Sequence, residues 1–193
     1  MALFTRLYDT CLRWSRHPAA PRYLAGLSFA ESSFFPIPPD VMLMPMSLAQ
    51  PQHAMRFATL TTAASVLGGM AGYAIGYFAI EWVAPLIGEG GRWAGAYNKA
   101  SQWFHEWGFW AVLIAGFSPI PYKVFTISAG ALSMAFLPFV LASAVGRGAR
   151  FFLVAGLLSW GGAAMESHIR AYVERIGWAL VGLGVVAYIA IKF

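Results

Sequence analysis

The sequence predicts an all-α polytopic membrane protein, in which two proline-broken re-entrant helical hairpins form an inverted repeat beside transmembrane and interfacial amphipathic helices. Of its 193 residues, 59% are hydrophobic and only 11% are charged, whereas soluble domains average about 45–50% and about 25%. The motif Pro-Ile-Pro at residues 36–38 returns at residues 119–121. Charged residues stand close to both motifs, inside stretches that are otherwise apolar enough for a bilayer.

Length and charge limit the architecture to one membrane domain. A helical crossing needs about 20 apolar residues, so residues 1–193 form a single membrane domain of several segments without an additional soluble domain. The net charge of +5 is scattered along the chain and forms no basic stripe of the kind that nucleic-acid-binding proteins carry. We therefore expect the bilayer and an anionic lipid as partners, and no nucleic acid.

The first proline cluster interrupts an apolar stretch over residues 22–50, which follows a predicted interfacial amphipathic helix at 2–17. Pro36, Pro38 and Pro39 donate no backbone hydrogen bonds and disfavour helix in the residues before them. Backbone without internal hydrogen bonds persists at membrane depth only where protein or trapped water satisfies it. We therefore predict a helix, a break and a second helix, folded into a re-entrant hairpin whose ends return to one side.

The remaining segments repeat this plan. Residues 54–80 are a predicted crossing, and Gly68, Gly72 and Gly76 form on it a face of small residues that a neighbouring helix can approach closely. The other predicted segments are an interfacial stretch rich in tryptophan and charge at 81–106, a second re-entrant hairpin at 107–135 that is broken at Pro119 and Pro121, and two further crossings at 138–162 and 176–193.

The order of the segments predicts the topology. A re-entrant hairpin followed by one crossing passes the membrane an odd number of times, so the second such unit enters from the opposite side. Inverted repeats of this kind place the binding site of many transporters near the bilayer midplane. Cytoplasmic loops carry an excess of Lys and Arg, and the distribution of positive residues along the chain then favours a multi-pass protein with a cytoplasmic N-terminus.

Five charged residues fall within the predicted membrane segments, namely Glu31, Asp40, Lys123, Arg147 and Arg150. An unpaired charge at the bilayer centre costs about 2.5–3.5 kcal/mol, so we expect these side chains to meet one another or to line water. Their formal sum is +1, which leaves room for one bound anion. We predict that the three bases bind an anionic headgroup, because the arginine fork matches phosphate oxygens, and that the two acids change protonation during transport.

A structural interpretation of the same residues stays open. In it, Asp40 pairs with Lys123, and Glu31 pairs with Arg147 or Arg150, so that the charges only hold the two hairpins together. Buried ion pairs of this kind can set the register of packed elements without further function.

Catalysis finds little support in the sequence. The four histidines fall in predicted interfacial regions, and no motif of a serine hydrolase or a zinc protease is present. We therefore expect that the protein is not an enzyme and has no catalytic residues, no metal site and no cofactor.

Four motifs between about residue 22 and residue 160 occur together in the chain. They are the stretch from Glu31 to Asp40, the glycine run from Gly68 to Gly76, the segment from Phe117 to Gly130 and the segment from Gly146 to Phe152. In combination they resemble the DedA family of bacterial inner-membrane proteins, in particular its YqaA-like branch, which is related to the VTT-domain (SNARE-associated Golgi) proteins of eukaryotes.

The resemblance implies a lipid transporter of the bacterial inner membrane that returns undecaprenyl phosphate or moves phospholipids, with a dependence on proton motive force. It also implies that Glu31 and Asp40 are the functional acidic pair of the family. Many members carry two arginines in the second broken motif, where this chain has Gly116 or Ser118 near the first and Lys123 near the second. The two arginines further along the chain are then expected to take over part of the anion binding.

The main functional hypothesis is therefore a proton-coupled transporter or flippase of an anionic lipid, with its site between the two re-entrant hairpins. One alternative is an uncoupled lipid scramblase with the same fold. Another is a structural membrane scaffold whose buried charges only pair internally. The glycine face and the aromatic surface also permit a homodimer.

Overall fold

A computed structural model describes Ser15 and residues 17–87, 94–118 and 120–161. This part of the chain contains helices and turns but no strand, so the predicted all-α class is confirmed for it. The predicted segment 176–193 and nearly all of 2–17 lie outside the described residues. In chain order the helices are α1 (Ala20–Ser33), α2 (Asp40–Ala49), α3 (Ala54–Ile87), α4 (Ala94–Phe117), α5 (Tyr122–Ala131) and α6 (Phe136–Gly161), with a short 3-10 helix (Pro51–His53) before α3.

Both proline clusters interrupt a helix, as predicted. α1 ends where the N–H groups of Phe34 and Phe35 both donate to the carbonyl of Ala30, at 2.8 Å each. α2 begins directly after Pro39, and α5 begins directly after Pro121. Because proline has no N–H and restricts the residue before it, the helical hydrogen-bond ladder cannot continue through either cluster. Pro119 lies outside the described residues.

In each unit the two helices that flank the break fold back, and their outer ends lie side by side. The Nε2 of Gln50, after α2, donates to the carbonyl of Ser15, before α1, at 3.0 Å. The hydroxyl of Tyr97, near the start of α4, donates to the carbonyl of Ala131, at the end of α5, at 3.1 Å. No proline stands between residues 94 and 117, and α4 accordingly continues as one helix across the predicted segment boundary at 106.

The two units run in opposite directions. In each unit the first helix lies parallel to the long helix that follows the hairpin. This direction follows from their contacts, since residues later in one helix contact residues later in the other. Between α3 and α6, residues later in one helix contact residues earlier in the other, so these two helices are antiparallel. The contacting pairs of α1 with α3 are Ser28–Thr61 and Ser33–Gly68. Those of α4 with α6 are Leu113–Gly146 and Gly116–Arg147. Those of α3 with α6 are Ser65–Arg147 and Met55–Gly156.

The glycine face of α3 is where both hairpins approach its backbone. A Cβ atom at Gly68 would overlap the carbonyl of Phe29 in α1, and a Cβ atom at Gly76 would overlap the carbonyl of Ile127 in α5. The hydroxyl of Thr126 in α5 also donates to the carbonyl of Ser32 in α1 at 3.1 Å, so the two hairpins touch directly beside this face. The small face predicted from the glycine spacing therefore brings the two hairpins together through α1 and α5.

Replacing Gly76 by alanine should lower the stability of the protein by about 1–3 kcal/mol, because the added methyl group forces α5 away from α3. The matched control is Gly26→Ala in α1, where nothing lies within 4 Å of the new Cβ, and where losing a helical glycine should be neutral or stabilise by up to about 1 kcal/mol. Thermal unfolding in detergent measures the difference. Equal unfolding temperatures for the two variants would show that α5 moves aside without cost.

The distribution of polarity is that of a membrane protein. Within the described residues, two helices are long and apolar enough to cross a membrane, Pro51–Trp82 and Phe136–Gly161, and they correspond to the predicted crossings at 54–80 and 138–162. Their outer surfaces expose large apolar side chains, whereas hydroxyl and charged groups are buried between the helices. Exposed examples are Leu67, Phe78, Trp82, Leu153, Leu157 and Trp160, and buried polar examples are Ser28, Glu31, Ser32, Thr61, Ser65 and Arg147.

Candidate functional site

A cavity of about 230 Å³ lies between the two breaks and α6. A cavity volume of about 10–15 Å³ is enough to hold one water molecule. The cavity is many times larger, so it can hold a polyatomic ion. All five charged residues singled out in the sequence line this cavity. The remaining lining residues belong to the two breaks and their flanks: Phe35, Pro36, Pro38, Pro39, Ile120 and Pro121.

Arg147 of α6 is buried, with 3% of its side chain exposed, and it joins α6 to α1 and α3. One terminal nitrogen donates to Glu31 Oε2 at 2.5 Å, and Nε donates to the hydroxyl of Ser65 at 2.6 Å. The guanidinium carbon also lies over two aromatic rings, 4.9 Å from the centroid of Tyr122 and 4.6 Å from that of Phe151. Arg147 therefore combines a buried ion pair with stacking on two aromatic faces.

Arg150, one turn further along α6, links the two breaks to each other. One terminal nitrogen donates to Asp40 Oδ2 at 2.6 Å, and the other donates to the carbonyl of Ser118 at 2.7 Å. Asp40 follows the first break and Ser118 begins the second. The Oδ1 of Asp40 and the Nε of Arg150 are buried and have no hydrogen-bond partner among the described residues.

Lys123 stands in the first turn of α5 and lines the cavity from the side of the second break. Among the residues that the structure describes, no hydrogen bond or ion pair engages its ammonium group. Each of the two acids is bonded to an arginine, so the formal charge of +1 at the cavity belongs to Lys123.

The pairing differs in one respect from the structural interpretation of the sequence. That interpretation paired Asp40 with Lys123, each of which stands two residues after a Pro-Ile-Pro motif, but Asp40 pairs with Arg150 instead. The expected pair of Glu31 with an arginine is present, with Arg147 as the partner. Equivalent positions in antiparallel units face a common axis from opposite sides and need not face each other, so the repeat does not predict which residues meet.

Several residues around the charges had not been singled out from the sequence. The hydroxyl groups of Ser32 and Ser65 lie 2.6 Å apart beside Glu31, and the aromatic rings of Tyr122 and Phe151 cover Arg147. A signal for Ser65 was present, because Thr61, Ser65, Gly68 and Gly72 recur at helical spacing along one face of α3. Aromatic residues are so frequent in this chain that no such signal distinguishes the two rings.

In the described part of the chain, no group of three or more His, Cys, Asp or Glu side chains could hold a metal ion. The ionisable groups that line the cavity are two carboxylates, one ammonium group and two guanidinium groups. This chemistry suits the binding of an anion.

The model of the VTT domain matches residues 37–159. This range includes the end of the first break, α3, the whole second hairpin, and α6 except for its last two residues. The chain belongs to the VTT domain family. The VTT domain is the domain of the DedA family, so the predicted membership is confirmed. Its membership of this family and its apolar helices together identify this VTT protein as a membrane protein.

Two relatives of this VTT protein match along their full lengths. It is 50% identical over 192 residues to an uncharacterized protein of Haemophilus influenzae, with 100% of both chains covered. It is 45% identical over 192 residues to an uncharacterized protein of Histophilus somni, again with 100% of both chains covered. No solved structure matches the VTT protein.

Proposed function

We propose that this VTT protein is a transporter or flippase that moves an anionic lipid across a bacterial inner membrane, with the lipid headgroup bound between the two breaks. The observation that carries the proposal is that Lys123 has no partner among the described residues, in a cavity where both acids already have arginine partners. A half-buried ammonium group without a counterion is costly in a membrane, and an anion that enters the cavity removes that cost.

Helix direction supports a site near the middle of the bilayer. With α3 and α6 as crossings, each hairpin enters from one face and returns to it, because its outer ends lie together. Both breaks then lie at membrane depth, where the backbone groups that leave the helical ladder need polar partners. Discontinuous helices of two inverted units build the substrate sites of many secondary transporters in the same way.

The surroundings of the cavity suit a lipid better than a free ion. Phe34, Phe35 and Ile37 of the first break and Ile120 of the second are exposed, and Phe35 and Ile120 also line the charged cavity. A lipid could therefore keep its acyl chains against these apolar side chains while its phosphate reaches Lys123. A water-soluble anion would gain nothing from this apolar border.

The direct experiment is lipid transport by the purified protein in proteoliposomes. Headgroup-labelled phosphatidylglycerol and labelled undecaprenyl phosphate are incorporated in separate vesicles, and the rate at which each changes leaflet is followed by chemical quenching of the outer label. Movement of either lipid above the rate of protein-free vesicles supports the proposal. Rates equal to those of protein-free vesicles for both lipids contradict it and leave the scaffold as the better function.

Proton coupling is assigned to the carboxylates at the cavity, with Asp40 as the first candidate. An anion that binds Arg150 competes with Asp40 for the same guanidinium group, and a carboxylate that loses its positive partner binds a proton more readily. Lipid movement would then carry protons with it.

Asp40→Asn tests this coupling, because asparagine keeps the shape of the side chain and cannot titrate. The wild-type protein should move lipid faster when a proton gradient is imposed across the vesicle, whereas the variant should give the same rate with and without the gradient. A variant that keeps the full response to the gradient excludes Asp40 as the coupling residue. A wild-type protein without any response favours the uncoupled scramblase.

A further inference from the structure

The two arginine–carboxylate pairs at the cavity differ in how completely their hydrogen-bonding groups are satisfied. Arg147 donates from Nε to Ser65 and from a terminal nitrogen to Glu31, and its guanidinium carbon lies over two aromatic rings. Glu31 Oε2 also accepts from the hydroxyl of Ser32, at 3.2 Å. This pair leaves no buried polar atom without a partner among the described residues.

The pair of Arg150 with Asp40 is incomplete. An arginine can bind a carboxylate through two parallel hydrogen bonds, one of which uses Nε. Here a terminal nitrogen of Arg150 meets Oδ2, while Nε and Oδ1, the two atoms that would form the second bond, both lack partners. In the described part of the chain only one other buried side-chain atom lacks a partner, the hydroxyl oxygen of Ser47 in α2.

We propose that Arg150 exchanges its partner when the anion binds, and that Arg147 does not. Without the anion, Arg150 binds Asp40 through one hydrogen bond from a terminal nitrogen. With the anion present, Arg150 releases Asp40, and its Nε and that terminal nitrogen, together with Lys123, bind the phosphate. Arg147 keeps Glu31 and Ser65 throughout and positions the walls of the site. This inference rests on the proposed function, since the anion it invokes is the lipid headgroup.

The geometry explains why an exchange, and not a simple addition, is needed. Neither Nε of Arg150 nor Oδ1 of Asp40 is accessible to solvent, so an anion in the cavity reaches the Nε edge only after the bridge to Asp40 opens. Opening removes the link between the first break and α6. The second link of Arg150, to the carbonyl of Ser118, uses its other terminal nitrogen and can persist.

Competition between Asp40 and the anion for Arg150 has a measurable consequence. In detergent, short-chain phosphatidylglycerol serves as the probe, and its affinity for the full-length protein is measured by isothermal titration calorimetry. Asp40→Asn removes the competing negative charge, so the variant should bind the probe at least about fivefold more tightly than wild type, the lower end of ordinary coupling between sites. Arg150→Lys lacks the fork and should bind at least about fivefold less tightly.

The control is Ser47→Ala, which removes the remaining unsatisfied buried atom at a position outside the cavity, and which should leave the affinity unchanged. An Asp40→Asn protein that binds the probe no more tightly than wild type overturns the exchange and leaves the proposed function standing. If that variant does not fold, an Arg150→Lys protein with wild-type affinity overturns the exchange in the same way. A wild-type protein that binds no probe contradicts the anion site itself, and the proposed function with it.

Discussion

Replacing Arg147 by alanine should destabilise the protein by about 3–5 kcal/mol, the usual effect of removing one partner from a buried ion pair. Glu31 would remain buried without its counterion, and the contacts with the rings of Tyr122 and Phe151 would be lost. Thermal unfolding in detergent, followed by tryptophan fluorescence, measures the effect. This is the largest loss of stability that we expect from any single substitution at the cavity.

The matched control for this prediction is Arg56→Ala, because Arg56 is exposed near the start of α3 and has no hydrogen-bond or ion-pair partner among the described residues. It should unfold at the wild-type temperature. The double variant Glu31→Gln with Arg147→Met should be more stable than Arg147→Ala alone, because no unpaired charge is left behind. An Arg147→Ala protein as stable as the Arg56→Ala control would show that water or lipid replaces the guanidinium group without cost.

Replacing Lys123 by glutamine should reduce lipid transport by about tenfold to a hundredfold without lowering stability. A hydrogen bond to a charged group contributes about 1.5–3 kcal/mol, which corresponds to that range of affinity, and Lys123 has no partner in the described part of the protein that would lose a bond. The rate of leaflet exchange in proteoliposomes measures the loss, and the unfolding temperature shows that the fold is intact. Lys123→Arg, which keeps the charge, should retain most of the rate.

Lys99→Gln is the matched control, because Lys99 is an exposed lysine of α4 and does not line the cavity. Its transport rate should equal that of the wild-type protein. If Lys123→Gln and Lys99→Gln transport lipid equally fast, the unpaired ammonium group has no part in binding, and the central argument for an anionic substrate is lost.

The two predictions separate two roles within one cluster of charges. Arg147 was predicted from the sequence to bind substrate, and it does line the cavity. Its hydrogen bonds and ring contacts show, in addition, that it connects α6 with α1 and α3, so its removal affects folding first. Lys123 contributes a charge that has no partner in the described part of the protein, so its removal should affect ligand binding alone. Measuring stability and transport on the same variants therefore distinguishes a transporter from a scaffold.

The sequence was sufficient to predict the local features of this VTT protein. The composition identifies a membrane protein, and the two proline clusters interrupt helices because proline lacks the N–H that the helical ladder needs. The spacing of Gly68, Gly72 and Gly76 identifies the face of α3 that other helices approach. Charges in apolar segments are too costly to remain isolated, and the five charged residues do line one cavity. Each of these inferences depends only on the chemistry of a residue and its near neighbours in the chain.

Only the tertiary structure decided which charges pair. Glu31 meets Arg147 across 116 positions of the chain and Asp40 meets Arg150 across 110, so no local periodicity relates the partners. Both pairs join the first hairpin to α6, so they depend on how α6 lies against the helices of that hairpin. Among the residues that the structure describes, this arrangement leaves Lys123 without a hydrogen-bond or ion-pair partner, and we therefore propose it as the residue that binds the anion.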